Sequence, residues 1–543
     1  MKFKSVPKEI RKFLSGNLKK EIIVLILLLM SSILMIMEPI ISKNLMDRGL
    51  LEKNFNLVLF YSVLLIAIVI VDQILGLIRE NIRIDLKNSL TLTLYNKIIE
   101  FLCKIRIDEL LRINTTNLYN NITTDIKSIT MILEPQFFMI ITKIFIMIGG
   151  IIGLFVINWK MMLIILFLIP VKIIWVRYIA IKRREIVKET MINQSKFSSW
   201  FADTVDGIKD IKIYGVFEER KKEFEQMFQE LVSNEKNFNI QDIKNQIFDK
   251  ILMESIICFI YIIGMKELLN MQMSIGEIFA FSTYTVLILS PIALVFNLKL
   301  TLISWELALK RYQEFFERRM EEIQISSKKL QKIEGKNIQF NVQDIQFSYE
   351  KKKVLNNIKL EGKIGEKISI VGSNGAGKST LINLLLRFYM PDSGEIYLNG
   401  KNIQEINIQS YRNLFGIVSQ DSFLFNDTIK NNIYFYNSEV NAEEFYSVLK
   451  DCGLIDFYQE VGEDYIVGKN GCLLSAGQRQ KVILARALLY NRSVLILDEA
   501  TANIDKKSKE DIKKVIKKLE KKLVFIVSHN DDILDMADKT LEL

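Results

Sequence analysis

Six apolar runs of about 20 residues, set between charged stretches, occupy roughly the first 320 residues: Ile22–Ile41, Leu57–Ile78, Phe137–Ile157, Met161–Ala180, Ile251–Leu269 and Ile278–Leu298. At a rise of 1.5 Å per residue, about 20 helical residues cover the ~30 Å hydrocarbon core of a bilayer. The competing arrangement is a soluble bundle of buried helices. A helix in such a bundle keeps a polar face, and Ile22–Met37 is apolar on nearly every side. The runs therefore read as membrane spans. Composition agrees: charged residues make up 25 % of the chain, yet mean hydropathy is +0.19, so the two kinds of residue are segregated. Only 6 prolines and 24 glycines interrupt 543 residues, which favours long helices.

The links between spans are uneven. Spans three and four are joined by Asn158-Trp159-Lys160 alone, whereas residues 79–136 and 181–250 form long charged connections. Lys and Arg concentrate in these long stretches and in the amino-terminal segment 1–20, and few fall in the short links. The positive-inside rule then places both termini and both long loops in the cytoplasm. A cleaved signal peptide fits residues 1–41 poorly, because the apolar run is too long and no small-x-small site follows. Segment 1–20 mixes basic residues with Val6, Ile10, Phe13, Leu14 and Leu18, and reads either as an interfacial helix or as a solvated tail. Leu86, Leu90, Leu94 and Ile98, and likewise Phe217, Phe224 and Phe228, keep a helical period, so the long loops are expected to extend the spans as helices. Glu38 and Asp72 lie in or near apolar runs, lining a substrate path or sitting close to an aqueous end.

After a linker at 321–336 the pattern changes. From 337 to 543, short β-rich runs (Lys367–Val371, Gly394–Leu398, Val494–Leu497, Leu523–Val527) alternate with helical ones, predicting an α/β domain with a mainly parallel sheet. Gly372-Ser373-Asn374-Gly375-Ala376-Gly377-Lys378-Ser379-Thr380 fits the phosphate-loop pattern, with a strand before it and an apolar helix, Leu381–Phe388, after it. Glycines let backbone N–H groups wrap a phosphate, and the helix amino end adds its positive dipole. Lys378 can reach the β- and γ-phosphates, and the Ser379 hydroxyl can ligate Mg²⁺. Val494–Leu497 runs apolar into Asp498 and Glu499. A buried strand can carry carboxylates only at its end, where Asp498 suits Mg²⁺ and Glu499 suits polarising an attacking water.

Leu474-Ser475-Ala476-Gly477-Gln478, followed by Arg479-Gln480, resembles the signature of ATP-binding cassette (ABC) ATPases. Other elements stand in the family's order: Phe347-Ser348-Tyr349 is similar to the adenine-stacking loop, Gln420 to the Q-loop glutamine, Ala502–Asp505 to the D-loop, and His529, the only histidine, to the switch histidine. The resemblance covers the whole chain. Six spans with two long loops and one cassette match an exporter half-transporter: an all-α transmembrane domain (21–320) fused to an α/β P-loop NTPase. Asp108–Ile129 and Glu189–Glu218 resemble the two intracellular loops. The resemblance implies ATP and Mg²⁺ as cofactors, with Ser379, Gln420 and Asp498 at the metal and Glu499, His529, Gln420 and Lys378 in catalysis. It also implies Tyr349 against adenine, and Ser475, Gly477 and Gln478 against the γ-phosphate held by a partner cassette. The partner is then a second copy or a related half-transporter.

Three features depart from the family pattern. Ala476 replaces the usual glycine, Lys469 stands where many exporters have an acidic residue, and the chain stops soon after His529. The resemblance implies an ATP-driven exporter in a cell membrane, and the Lys-, Ile- and Asn-rich composition points to a bacterium. A peptide or hydrophobic compound is the first expectation for substrate; a lipid or lipid-linked glycan is the second. An ATP-gated channel or regulator is the rival from another class, and it commonly lacks the glutamate or histidine that this chain keeps. The basic run Lys506–Lys522, with Ile512, Val515, Ile516 and Leu519 at helical spacing, reads as a solvated amphipathic helix and not as a nucleic-acid site. Cys103, Cys258, Cys452 and Cys472 are scattered, so neither a disulfide framework nor a zinc site is expected.

Overall fold

The computed structural model describes residues 8–111, 115–321, 338–349, 352–419, 422–436, 441–499, 506–528 and 534–543. By internal contacts the chain divides into a helical unit, Met1–Cys103 with Asn114–Arg318, and an α/β unit, Lys104–Ile113 with Arg319–Leu543.

In the helical unit, α1 (Lys8–Asn44) runs without interruption from the tail through the first apolar stretch, so the described part of segment 1–20 is the start of the span and not a separate helix. A π-helical turn (Leu45–Leu51) leads to α2 (Phe55–Leu102), whose cap is the Asn54 carboxamide accepting from the Leu57 N–H. The stripe Leu86, Leu90, Leu94 and Ile98 is buried as its period predicts. After the short α3 (Ile107–Leu111), which belongs to the α/β unit, α4 (Thr115–Thr130) precedes α5 (Pro135–Asp206), a helix broken only at Asn158 (φ −158°, ψ 102°). There the carboxamide accepts from the N–H groups of Lys160 and Met161, restarting the helix and separating the third and fourth apolar stretches. α6 (Ile208–Tyr214) joins α5 to α7 (Phe217–Leu269), which carries the fifth stretch. The sixth stretch is not one helix. α8 (Ile275–Leu289), opened by a Ser274/Glu277 capping box, ends before Ser290-Pro291, and α9 (Ile292–Phe316) follows.

Among the described residues, four helical stretches, counted across short breaks, are long and apolar enough to cross a membrane by length and composition: Ile10–Leu51, Phe55–Leu102, Leu118–Leu163 and Ile275–Leu294. The fourth and fifth apolar stretches are also helical; the fourth carries Lys172 and Arg177, and the fifth is diluted by Glu254, Lys266 and Glu267. Small residues let the helices approach closely. A Cβ added at Gly153 would lie 2.8 Å from the ring of Tyr284, and one at Gly150 would lie 2.9 Å from Ile288. Tyr284 is fully buried and its hydroxyl donates to the Ile36 carbonyl of α1 at 2.6 Å. Lys172, 1 % exposed, pairs with Asp249 at 3.2 Å. Where α5 and α7 leave the apolar stretches, Phe197, Trp200, Phe224 and Phe228 cluster between them, and the α6 end exposes Ile213 and Tyr214.

The α/β unit contains two sheets. Antiparallel β1 (Gln339–Tyr349), β2 (Lys352–Lys363), β4 (Ser393–Leu398) and β5 (Lys401–Asn402) are ordered β2-β1-β4-β5. The second sheet comprises β3 (Lys367–Val371), β6 (Phe415–Ser419), β7 (Val494–Asp498), β8 (Leu523–Val527) and β9 (Lys539–Glu542). It is wholly parallel, in the order β6-β7-β8-β3-β9. Its central strand, β8, is apolar and buried at every position because helices and the antiparallel sheet cover its two faces. One core joins the two sheets and α10 (Lys378–Leu385) around Phe340, Tyr411 and Phe525. A second core gathers α12 (Ile429–Tyr434), α13 (Ala442–Asp451), α14 (Ile455–Val461), α15 (Ala476–Leu489) and α16 (Lys506–Lys517) around Phe445 and Val482. Ile512, Val515, Ile516 and Leu519 are buried in it, leaving the basic face of α16 to solvent.

Candidate functional site

The phosphate loop connects β3 to α10. Gly377 has φ +104°, and a Cβ there would meet Leu355 at 2.6 Å, so both backbone and space demand glycine. Ser373, Asn374 and Gly375 are exposed at the loop surface. Lys378 is buried, and its ammonium donates to the carbonyls of Gly372 (2.8 Å) and Ser373 (3.0 Å), bracing the loop. Ser379 is exposed at the start of α10, while Thr380 points inward. Tyr349, at the end of β1, meets Phe347 and Tyr389 edge-on and keeps 38 % of its surface exposed.

Beyond the carboxyl ends of the parallel strands lies a cleft of about 820 Å³, lined by Ser379, Ser419, Asp498, Glu499 and Arg486 among others. This is where α/β sheets hold ligands. Ser419 and Asp498 face each other in the β6–β7 pairing. Glu499 follows at φ +52°, a left-handed conformation that a non-glycine residue adopts at a cost, and its N–H donates to the Val527 carbonyl. The strand therefore ends in a bend held by β8, and both carboxylate residues line the same cleft as Ser379. Oxygen donors of this kind, a hydroxyl and a carboxylate, fit a hard divalent cation.

Ser475 and Gln478 are not brought to that cleft. They form a capping box on α15: the Ser475 hydroxyl oxygen accepts from the Gln478 N–H at 3.2 Å, and the Gln478 carboxamide oxygen accepts from the Ser475 N–H at 2.8 Å. Because both acceptors are engaged with backbone, the donor hydrogens of both side chains are left for something outside the helix. Ala476 is exposed beside them, and Gly477 is buried. Gln420, His529 and the segment 502–505 lie outside the described residues.

Arg486, which sequence reasoning did not single out, and Arg479, named there only as following the signature, hold the segment following position 420. Arg486 of α15 donates to the carbonyls of Asn432 (2.7 Å) and Phe423 (3.0 Å) and stacks on Phe435. Burial pulls its pKa down to about 10, so its charge survives at neutral pH. Arg479 donates to the Ser422 carbonyl and to Asn470. Asn470 lies in the turn opened by Lys469.

Two family models match the chain: the ABC transporter transmembrane region over residues 22–292, and the ABC transporter domain over residues 355–502. Together they span most of it, and the chain belongs to the ABC transporter family. It is a half-transporter of the exporter type, a helical membrane unit fused to one ATP-binding, ATP-hydrolysing cassette, and so an ATPase coupled to export. Relatives include the ATP-dependent lipid A-core flippase of Pasteurella multocida, 28 % identical over 71 % of this chain and 66 % of its own length. The export ATP-binding/permease protein of Rickettsia typhi is 27 % identical over 98 % of this chain and 92 % of its own length. A bacterial Atm1-family ABC exporter solved with ATP bound superposes with a TM-score of 0.79 at 19 % identity, covering 97 % of this chain and 94 % of that one, which shows a shared fold.

Proposed function

We propose that two copies of this chain, or this chain and a related half-transporter, work as one exporter in a bacterial plasma membrane, with cassettes and termini in the cytoplasm. ATP sits on the phosphate loop. Lys378 pairs with its β- and γ-phosphates, the backbone of Gly372–Thr380 cradles them, and Tyr349 stacks on adenine. Ser379, Asp498 and Gln420 hold Mg²⁺, which neutralises the charge of the phosphates. Glu499 takes the proton of the attacking water, and His529 holds the γ-phosphate. The nucleotide is completed by the partner cassette's signature, where Ser475 and Gln478 direct their free donors and the backbone of Gly477 comes close. Nucleotide then joins the cassettes and hydrolysis releases them. The long extensions of α5 and α7, ending in α6, carry that cycle to the spans, which alternate between two openings.

One observation carries this reading: a single cleft beside the phosphate loop collects Ser379, Asp498 and Glu499. Reconstituted Glu499→Gln should bind ATP normally and hydrolyse it at least ~100-fold more slowly, the scale for losing a positioned base. Retention of a tenth of the activity would refute the assignment. For the cargo we favour a peptide or hydrophobic compound, assayed by ATP-dependent uptake into inside-out vesicles. Lipid or lipid-linked glycan flipping is the second reading, favoured by relatives described as lipid A-core flippases. Translocation of a labelled lipid between leaflets, without uptake of soluble compounds, would select it. A non-pumping channel or regulator would instead show negligible ATP turnover.

A further inference from the structure

We propose that Glu321 and Arg412 form an intrachain strut that carries the nucleotide state of the phosphate loop to two of the three backbone junctions by which the α/β unit joins the helical unit, those after α2 and after α9. The proposal rests on the alternating-access reading above. Arg412 ends α11 (Ile408–Arg412). Its guanidinium grips Glu321 in two parallel hydrogen bonds, each 2.9 Å. The same side chain donates through Nε to the Leu386 carbonyl and through Nη2 to the Arg387 carbonyl, both at 3.0 Å, and lies over the ring of Phe388. Leu386 and Arg387 terminate α10, the helix that begins at Lys378. Tyr411, the preceding residue, donates to the Leu385 carbonyl from a fully buried position. One residue further on from Phe388, Tyr389 touches Tyr349 edge-on. Both halves of the nucleotide site, phosphate loop and adenine platform, therefore converge on residues 385–389, and Arg412 is clamped to them.

At its other end the strut meets a backbone staple. Ile105 and Met320 form an antiparallel bridge, the Arg106 N–H donates to the Arg319 carbonyl at 3.2 Å, and the Glu321 N–H donates to the Lys104 carbonyl at 2.8 Å. Residues 104–106 continue directly from α2, and residues 319–321 follow α9. Tied to each other, both connections feel any movement of Glu321. A bidentate arginine–carboxylate pair is a directional link, and here it is shielded, with Arg412 25 % and Glu321 13 % exposed. When the phosphate-loop helix shifts, Arg412 moves with its carboxyl end, and Glu321 moves with Arg412. Arg412 is thus a positioning residue for coupling and takes no part in the bond broken.

The test uses the full chain in lipid nanodiscs. Steady-state ATPase is measured together with hydrogen–deuterium exchange of the short turns at 45–54, 158–160 and 270–274, with Mg-ATP plus vanadate and with ADP. Wild type should show nucleotide-dependent exchange at these turns. Glu321→Ala and Arg412→Lys should lose at least about three-quarters of that difference while kcat and KM for ATP stay within about threefold, and Glu321→Asp should keep at least half of it. An unchanged exchange difference in Glu321→Ala and Arg412→Lys would overturn the strut. So would a fall of more than tenfold in ATPase, which would make the pair a support of the nucleotide site. Wild type with no nucleotide-dependent change would refute alternating access itself, and the strut with it.

Discussion

The capping box at Ser475 separates two jobs that one hydroxyl performs. As N-cap of α15 its oxygen accepts from the Gln478 N–H; as a signature residue its hydrogen is proposed to reach a phosphate. Replacing it with alanine removes the cap, at about 1 kcal/mol. For a domain the size of the cassette that lowers the unfolding midpoint by about 2–4 °C. Replacing it with aspartate keeps an equally good cap and adds a favourable charge at the helix amino end, about 0.3–1 kcal/mol. Catalysis should rank the variants the other way. Alanine loses one hydrogen bond to a charged group, about 1.5–3 kcal/mol, or about 10- to 150-fold in rate. Aspartate loses the same bond and sets a negative charge against the phosphate; at about 4 Å and an effective dielectric near 20 that costs up to about 4 kcal/mol more. Stability should therefore rank wild type and Ser475→Asp above Ser475→Ala, and ATPase should rank wild type, then Ser475→Ala, then Ser475→Asp. Trp159, Trp175, Trp200 and Trp305, all in the helical unit, account for the chain's 4 tryptophans. The cassette transition must therefore be followed by calorimetry and not by tryptophan emission. Ser475→Asp melting with Ser475→Ala would refute the capping argument, and Ser475→Asp hydrolysing ATP at the wild-type rate would refute the phosphate contact.

Two further outcomes concern the helical unit. Gly153→Ala should lower its thermal midpoint by overpacking against Tyr284, at about 1–3 kcal/mol, whereas Tyr284→Phe should cost only the hydrogen bond to Ile36, about 0.5–1.5 kcal/mol; the reverse order in a melting series would contradict the packing described. Asp249→Ala strands the buried Lys172 ammonium and should cost about 3–5 kcal/mol, while the Lys172→Met/Asp249→Leu pair should melt close to wild type. A double variant as unstable as the single one would show that the ion pair itself stabilises the seam.

What the sequence disclosed was whatever depends on neighbours along the chain. The strands at Lys367–Val371 and Leu523–Val527 emerge with the boundaries their apolar runs predict. Ser379, Asp498 and Glu499 meet because the loop and the strand end that carry them are local patterns. The Leu86–Ile98 stripe is buried, but Phe217, of the second expected stripe, is 62 % exposed, since a period fixes a helix face without fixing what covers it. The break at Ser290-Pro291 was hidden because hydropathy averages across one proline. Arg486 and Arg412 escaped notice for another reason. Their partners are mostly carbonyls, which every residue has, so the pairing leaves no trace in residue identity. The Ile105–Met320 bridge joins positions that no spacing rule relates.

That bridge has a consequence for biosynthesis. Residues 104–113 leave the ribosome about 200 residues before Arg319, with which they share a compact unit. At roughly 5–20 residues per second, the wait is about 10–40 s. Throughout it the early segment must stay unclaimed while the intervening spans are inserted, so the ATP-binding half cannot finish maturing until translation is well past the last span. A cassette expressed from Arg319 onward would lack the strand mate of Met320, and its gene boundary would cut through a folded body.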